Sequence, residues 1–146
     1  MLPPVKSKRK AMILISASIW IGLVLGVSFF AAPIKFSAEG VSRDDLLRVG
    51  QVTFQAFTWI EWFAWLGLVA AIGRHYTRAL LAVAITMTLW LVIQKFWLLP
   101  ILDGLLVQRL AGEAIGEHHW HTLYITSDII KLILLGGLLM ILHKSG

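Results

Sequence analysis

The chain has 146 residues, of which 58% are hydrophobic and only 14% are charged. Because an average soluble domain carries about a quarter of its residues as Asp, Glu, Lys and Arg, this composition indicates an integral membrane protein. The absence of cysteine excludes disulfide bonds and thiolate metal sites.

Four apolar stretches are long enough to cross a membrane, whose hydrocarbon core takes about 20 helical residues. They lie near residues 11–32, 49–72, 78–99 and 121–142. Since a membrane-spanning helix satisfies its own backbone hydrogen bonds, we expect an all-α bundle of four transmembrane helices. Residues 1–146 are predicted to form a single integral membrane domain.

The first apolar stretch follows the basic sequence KSKRK and is longer than the apolar part of a usual signal peptide. It is therefore predicted to be an uncleaved helix that ends near Pro33. Ser18, Gly22 and Gly26 recur every four residues within it. Such a face of small residues allows close approach of another helix, although small residues are also common in membrane helices generally.

The connections between the spans carry local signals of their own. Ser42 followed by Asp45 resembles a capping box, which predicts that the second helix begins before it enters the membrane. The short sequence GRHYTR predicts an antiparallel hairpin of the second and third spans. After Pro100, leucines at helical spacing predict either a short interfacial helix or a loop packed on the bundle; they are Leu102, Leu105, Leu106 and Leu110.

Charge distribution predicts the topology. One end of the predicted bundle collects basic residues without any acidic one: Lys6, Lys8, Arg9, Lys10, Arg74, Arg78 and Lys144. The other end is mixed, with Lys35, Arg43, Arg48 and Arg109 against Glu39, Asp44, Asp45, Asp103, Glu113 and Glu117. By the positive-inside rule, both termini are predicted to be cytoplasmic, in a bacterial inner membrane. The net charge of +5 is thus assigned to topology and to the lipid bilayer as partner, and no nucleic-acid partner is predicted.

Four ionisable residues lie inside the apolar stretches: Glu61, Lys95, Asp128 and Lys131. Because a lone charge at this depth is costly, we expect them to pair as Lys95–Asp128 and Glu61–Lys131. His121, Tyr124, Asp128 and Lys131 follow each other at three- or four-residue spacing, which puts them on one helix face. Four further residues are expected to complete the hydrogen bonds of this cluster, namely Gln55, Thr58, Gln94 and Tyr124.

Three interpretations of this cluster remain open at this point. The pairs are polar contacts that hold the helices in register, or they form a proton or substrate pathway that opens to the outer face. Alternatively, they line a ligand pocket or an interface with another membrane protein. Charge neutrality favours the structural interpretation, because a conducting site often keeps an unpaired titratable group.

The sequence EHHWH suggests a metal site at the outer face. On a helix, Glu117, His118 and His121 share one face, and imidazole with carboxylate suits Zn, Cu or Ni. The alternative is an interfacial anchor made of these histidines and Trp120. A haem held by His75 and His143 is a weaker alternative. No motif of an enzyme is present, so no catalytic residue and no cofactor is predicted.

The sequences WIGLVLGVSFFAAPIKF, VGQVTFQAFTWIEW and HTLYITSDIIKL together resemble small four-helix bacterial membrane proteins of a domain-of-unknown-function type. The resemblance is to the transmembrane-protein-205-like group, and it implies a four-helix membrane protein without an assigned activity. The expected function is therefore a structural or accessory membrane subunit. The alternatives are a proton-coupled or small-solute transport component, with a homo-oligomer or another membrane protein as partner, and an outer-face metal-binding or redox accessory protein.

Overall fold

In a computed structural model of the protein, the described residues are 5–73, 77–113 and 120–144, apart from the side chains of residues 5–7, 120, 121 and 144. All regular structure in these ranges is helical. Four helices are long and apolar enough to cross a membrane: Lys8–Ser37, Arg43–Ile72, Arg78–Leu110 and Thr122–His143. We call them spans 1 to 4. The predicted all-α architecture with four membrane-spanning helices is thus present.

Span 1 continues through its proline. An α-helix over Val5–Val24 leads into a π-helical segment, Leu25–Ala31, and then into short helical turns over Ala32–Ile34 and Lys35–Ser37. The prediction that the helix ends near Pro33 is wrong by about one turn. A proline ring clashes with the carbonyl four residues earlier in an α-helix, and the wider π-helical segment lies just where that clash would arise.

Span 3 repeats this arrangement. Its first α-helix, Arg78–Ile93, passes through a π-helical segment at Gln94–Leu98 into a second α-helix, Leu99–Leu110, with Pro100 in its first turn. Of the two alternatives predicted after Pro100, the structure has the helix, and this helix is continuous with span 3. Two contacts join it to span 2: Gln55 Nε2 donates to Asp103 Oδ2 at 2.9 Å, and Arg109 Nε lies 3.5 Å from Asp44 Oδ1.

Span 2 begins and ends at well-defined signals. Its first residue is Arg43, and the Ser42 side chain accepts a hydrogen bond from the Asp45 backbone N–H at 3.1 Å while its hydroxyl donates to Asp45 Oδ2 at 2.6 Å. The predicted capping interaction is confirmed. At the other end Gly73 has φ +59°, a conformation that favours glycine and stops the helix.

Neighbouring spans run antiparallel. Arg9, at the start of span 1, lies beside Gly73 at the end of span 2, whereas Lys35 lies beside Gly50 near the start of span 2. The Asp44–Arg109 contact joins the start of span 2 to the end of span 3. The beginning of span 1 and the end of span 4 consequently lie at the same end of the bundle; we call it the basic end, and the opposite end the mixed-charge end.

The core and the surface are both apolar. Buried side chains such as Trp20, Met87 and Leu135 fill the interior towards the basic end. On the outside, Phe63 and Phe96 are each 71% exposed and Ile133 is 67% exposed. Exposed apolar side chains on this scale are consistent with helices that face the hydrocarbon of a membrane.

The stripe of small residues on span 1 does not pack against another span. Ser18, Gly22 and Gly26 are exposed, and a Cβ added at either glycine would meet no atom within 4 Å among the described residues. The expected close approach of a helix to this face therefore does not occur within the described part of the chain.

Candidate functional site

A triad of charged side chains lies at the centre of the bundle. The Lys131 ammonium forms an ion pair with Glu61 Oε1 and a second one with Asp128 Oδ1, the latter at 2.6 Å. All three side chains are completely buried. The predicted contact between Glu61 and Lys131 is present, and we call Glu61, Asp128 and Lys131 the triad.

Helix geometry and packing position the triad. Asp128 and Lys131 are three residues apart on span 4, a spacing that places their side chains on the same face. Glu61 reaches them from span 2, and the Trp20 indole N–H of span 1 donates to Glu61 Oε1 at 3.3 Å. The Phe57 ring covers the ammonium, with 5.8 Å between Lys131 Nζ and the ring centroid. Three spans thus meet at one set of charges.

Lys95 is not part of this cluster. It is half-buried, and its Nζ lies 4.5 Å from the centroid of the Trp59 ring. The predicted Lys95–Asp128 pair is therefore wrong. Lys95 belongs to the π-helical segment of span 3, where the angular spacing of side chains differs from that of an α-helix, and its neighbour Gln94 is the one that points into the bundle.

The loss of Lys95 from the cluster changes its charge balance. Two carboxyl groups share one ammonium, so the fully ionised triad carries one surplus negative charge. Within the described residues, Glu61 Oε2 and Asp128 Oδ2 have no hydrogen-bond partner. A single proton on either oxygen would make the triad neutral.

A second group of polar side chains lies next to the triad, towards the mixed-charge end. Tyr124 precedes Asp128 by four residues on span 4 and is 1% exposed. Its hydroxyl lies near Gln94 and Thr58 without a hydrogen bond of normal geometry to either. The four residues therefore do not complete the hydrogen bonds of the cluster among the described residues. Gln94 and Tyr124 are buried without a hydrogen bond, Thr58 donates to the Phe54 carbonyl, and Gln55 donates to Asp103.

A cavity of about 120 Å³ leads from the mixed-charge end to Tyr124. All four spans contribute to its wall, and its polar lining consists of Lys35, Gln51, Asp103 and Tyr124. Towards the basic end, the described part of the core is apolar and includes Met87, Leu91, Leu135 and Leu138. The cavity therefore approaches the triad from the mixed-charge end as far as Tyr124, while packed hydrocarbon lies on the other side of the triad.

Three residues of this region were not singled out from the sequence. Nothing in the sequence around Trp20 marks it as a partner of Glu61, since an indole in an apolar span is usually a packing residue. Lys35 and Asp103 were assigned to connections outside the membrane because Pro33 and Pro100 were expected to end their helices. The recurrence of a charged residue two or three positions after each proline is the signal that would have marked them.

The predicted metal ligands cannot be placed as a set. Glu117 and His118 lie outside the described residues, and only the backbone of His121 is described. Within the described ranges no group of three His, Asp or Glu side chains is arranged to hold a metal ion. His75 of the alternative haem pair also lies outside them, while His143 is exposed.

Comparison of the chain with protein-family models, with curated proteins and with solved structures found no match. The resemblance to the transmembrane-protein-205-like group consequently stays a prediction from the sequence.

Proposed function

We propose that the protein is a component of a proton-coupled transport system and that the triad is its proton-binding site. The observation that carries this proposal is the surplus carboxylate: two buried acids share one buried lysine. The sequence-based argument for a purely structural cluster depended on neutrality through Lys95, which lies elsewhere. Ionisable groups retained inside a membrane bundle commonly mark proton or ion pathways.

In this proposal the proton enters from the mixed-charge end. In this pathway water would enter the cavity as far as Tyr124, which lines it and lies one helical turn before Asp128 on span 4. The proton is bound at Glu61 Oε2 or Asp128 Oδ2, the two oxygens without partners among the described residues. Release of the proton to the basic end requires a second arrangement of the spans. The π-helical segments Leu25–Ala31 and Gln94–Leu98 are the elements best suited to change conformation between the two arrangements.

Proton movement into vesicles tests the proposal. The purified protein is reconstituted into liposomes that contain a pH-sensitive dye, and a potassium gradient with valinomycin drives proton entry. We expect faster acidification than in protein-free liposomes, and we expect Glu61→Gln and Asp128→Asn to abolish the difference. Asp44→Asn, the same chemical change at an exposed carboxyl, serves as control and keeps the wild-type rate. A wild-type rate equal to that of empty liposomes contradicts the proposal.

The second candidate is the structural or accessory subunit predicted from the sequence. It is favoured by the contacts of Glu61, which accepts from Trp20 of span 1 and pairs with Lys131 of span 4. Under this alternative, Glu61→Gln lowers the thermal stability in detergent and no proton flux accompanies the wild type. Under the first proposal, the variant loses flux while its helical circular dichroism spectrum is retained.

Orientation and location form part of the same proposal. The basic end carries Lys8, Arg9, Lys10 and Arg78 among the described residues, which supports cytoplasmic termini in a bacterial inner membrane. The cavity then opens to the outside. A transition-metal site at residues 117–121, a homo-oligomer and another membrane protein as partner stay predictions, and neither an enzymatic step nor a nucleic-acid partner is proposed.

A further inference from the structure

The Lys35 ammonium occupies an unusual position at the mixed-charge end. The side chain is half-buried in the wall of the cavity, with Nζ 5.0 Å from the Phe36 ring centroid and 5.7 Å from that of Phe54. Among the described residues, no carboxylate lies within ion-pair distance of it. A lysine held in this way is a ready counter-charge for a bound anionic group.

Gly50 makes room for this ammonium. It is buried on span 2, and a Cβ at that position would collide with Lys35 Nζ. The absence of a side chain at position 50 therefore lets the amine lie against the span 2 backbone instead of extending to the surface.

An apolar groove adjoins the cavity that Lys35 lines. A second cavity, of about 310 Å³, lies between spans 1 and 4 and shares Ala32 and Phe36 with the first. Its other lining residues are Ser28, Phe29, Pro33 and Ile125. A groove lined in this way fits a hydrocarbon chain, and its two shared residues place it next to the cavity that Lys35 lines.

Asp103 adds an opposite charge to the same cavity. Its Oδ2 accepts a hydrogen bond from Gln55, so the carboxylate is held in place on span 3. A cation and an anion in one cavity complement a headgroup that carries both charges, and they disfavour one that carries only negative charge.

We propose that this cavity binds a zwitterionic phospholipid, with its phosphate at Lys35, its amine at Asp103 and an acyl chain in the groove between spans 1 and 4. Phosphatidylethanolamine has this chemistry. The headgroup would occupy the cavity through which the proton is proposed to enter, but none of the lipid-binding residues belongs to the triad, so lipid binding and proton transport are tested separately.

Lipid-dependent thermal stability tests the proposal. The delipidated protein in a mild detergent is titrated with phosphatidylethanolamine, phosphatidylglycerol, diacylglycerol or inorganic phosphate. We expect the melting temperature to rise with phosphatidylethanolamine and to change much less with the other three. Lys35→Met should weaken binding about tenfold, the loss expected for one charge-assisted hydrogen bond, and Lys35→Arg should restore it.

Two further variants test whether lipid binding depends on the position of the Lys35 ammonium as well as on its charge. Gly50→Ala keeps the charge of Lys35 but displaces its amine, and it should weaken binding as well. Lys95→Met removes a lysine that stacks on Trp59 outside the cavity, and it should bind lipid as the wild type does. Unchanged lipid affinity in Lys35→Met overturns the proposal. Equal stabilisation by phosphatidylglycerol overturns the zwitterionic assignment, and stabilisation by inorganic phosphate alone indicates a soluble anion instead of a lipid.

Discussion

At the scale of residues, the burial of each lysine inside the bundle and its contribution to stability depend on its nearest partner. Lys131 contacts two carboxylates and is fully buried, whereas Lys95 remains half-buried and stacks on the exposed ring of Trp59. Removing one partner of a buried ion pair leaves the other charge uncompensated. The resulting loss of stability is larger than the net stabilisation that the pair itself contributes. The two lysines should therefore respond very differently to the same substitution.

Lys131→Met should lower the free energy of unfolding by about 3–5 kcal/mol, because Glu61 and Asp128 are left without their counter-charge. Lys95→Met should cost about 0.5–1 kcal/mol, the range of an exposed cation–π contact. Chemical denaturation in detergent micelles measures both changes. A partial recovery of stability in the double variant Lys131→Met with Asp128→Asn is expected, since one surplus charge is removed. Equal costs for the two lysine variants would contradict the assignment of the triad.

At the scale of elements, spans 1 and 3 share a design in which a π-helical segment precedes a proline and the helix continues to a charged residue. In span 3 the continued helix places Asp103 and Arg109 next to span 2, where they contact Gln55 and Asp44. The helix Leu99–Leu110 is thus attached to span 2 by two polar contacts, unlike a helix lying free along the membrane surface.

Chemical cross-linking tests this attachment, since the natural chain has no cysteine to interfere. Asp44→Cys combined with Arg109→Cys should be linked rapidly by a short bismaleimide. Arg9→Cys combined with Arg109→Cys places the two thiols at opposite ends of the bundle and should give no link within one chain. Failure of the first pair to react would show that Leu99–Leu110 points away from span 2.

These elements also explain which features were predictable from the sequence. Helix number, the Ser42 cap and the Glu61–Lys131 contact follow from hydropathy, local hydrogen bonding and the cost of buried charge. The two prolines were taken as helix ends because the rule for α-helices was applied, and a π-helical segment relaxes that rule. The same irregularity rotates Lys95 away from Asp128, so the wrong pair and the wrong span boundary have one physical origin.

At the scale of the whole molecule, polarity is distributed unevenly between the two ends of the bundle. The polar lining of the cavity extends from the mixed-charge end as far as Tyr124, while the described part of the core towards the basic end is packed with apolar side chains. Under the orientation proposed from the positive-inside rule, the basic end with its excess of lysine and arginine faces the cytoplasm. The open cavity is then expected to face the periplasm.

Labelling of single cysteines tests this orientation. Glu39→Cys, which is exposed at the mixed-charge end, should react with a membrane-impermeant maleimide in intact cells. His143→Cys, which is exposed at the basic end, should react only after the membrane is permeabilised. The reverse pattern would invert the topology and would place the cavity opening in the cytoplasm.

If the triad holds one exchangeable proton, infrared difference spectroscopy of its carboxyl groups should detect it. Spectra of the wild type, Glu61→Gln, Asp128→Asn and the control Asp44→Asn are compared in an ester-free detergent at neutral pH. We expect a protonated carboxyl C=O band in the wild type and in Asp44→Asn that is lost in both triad variants, because each variant removes the surplus charge. Absence of that band in the wild type, or its persistence unchanged in both triad variants, would show that the triad holds no such proton.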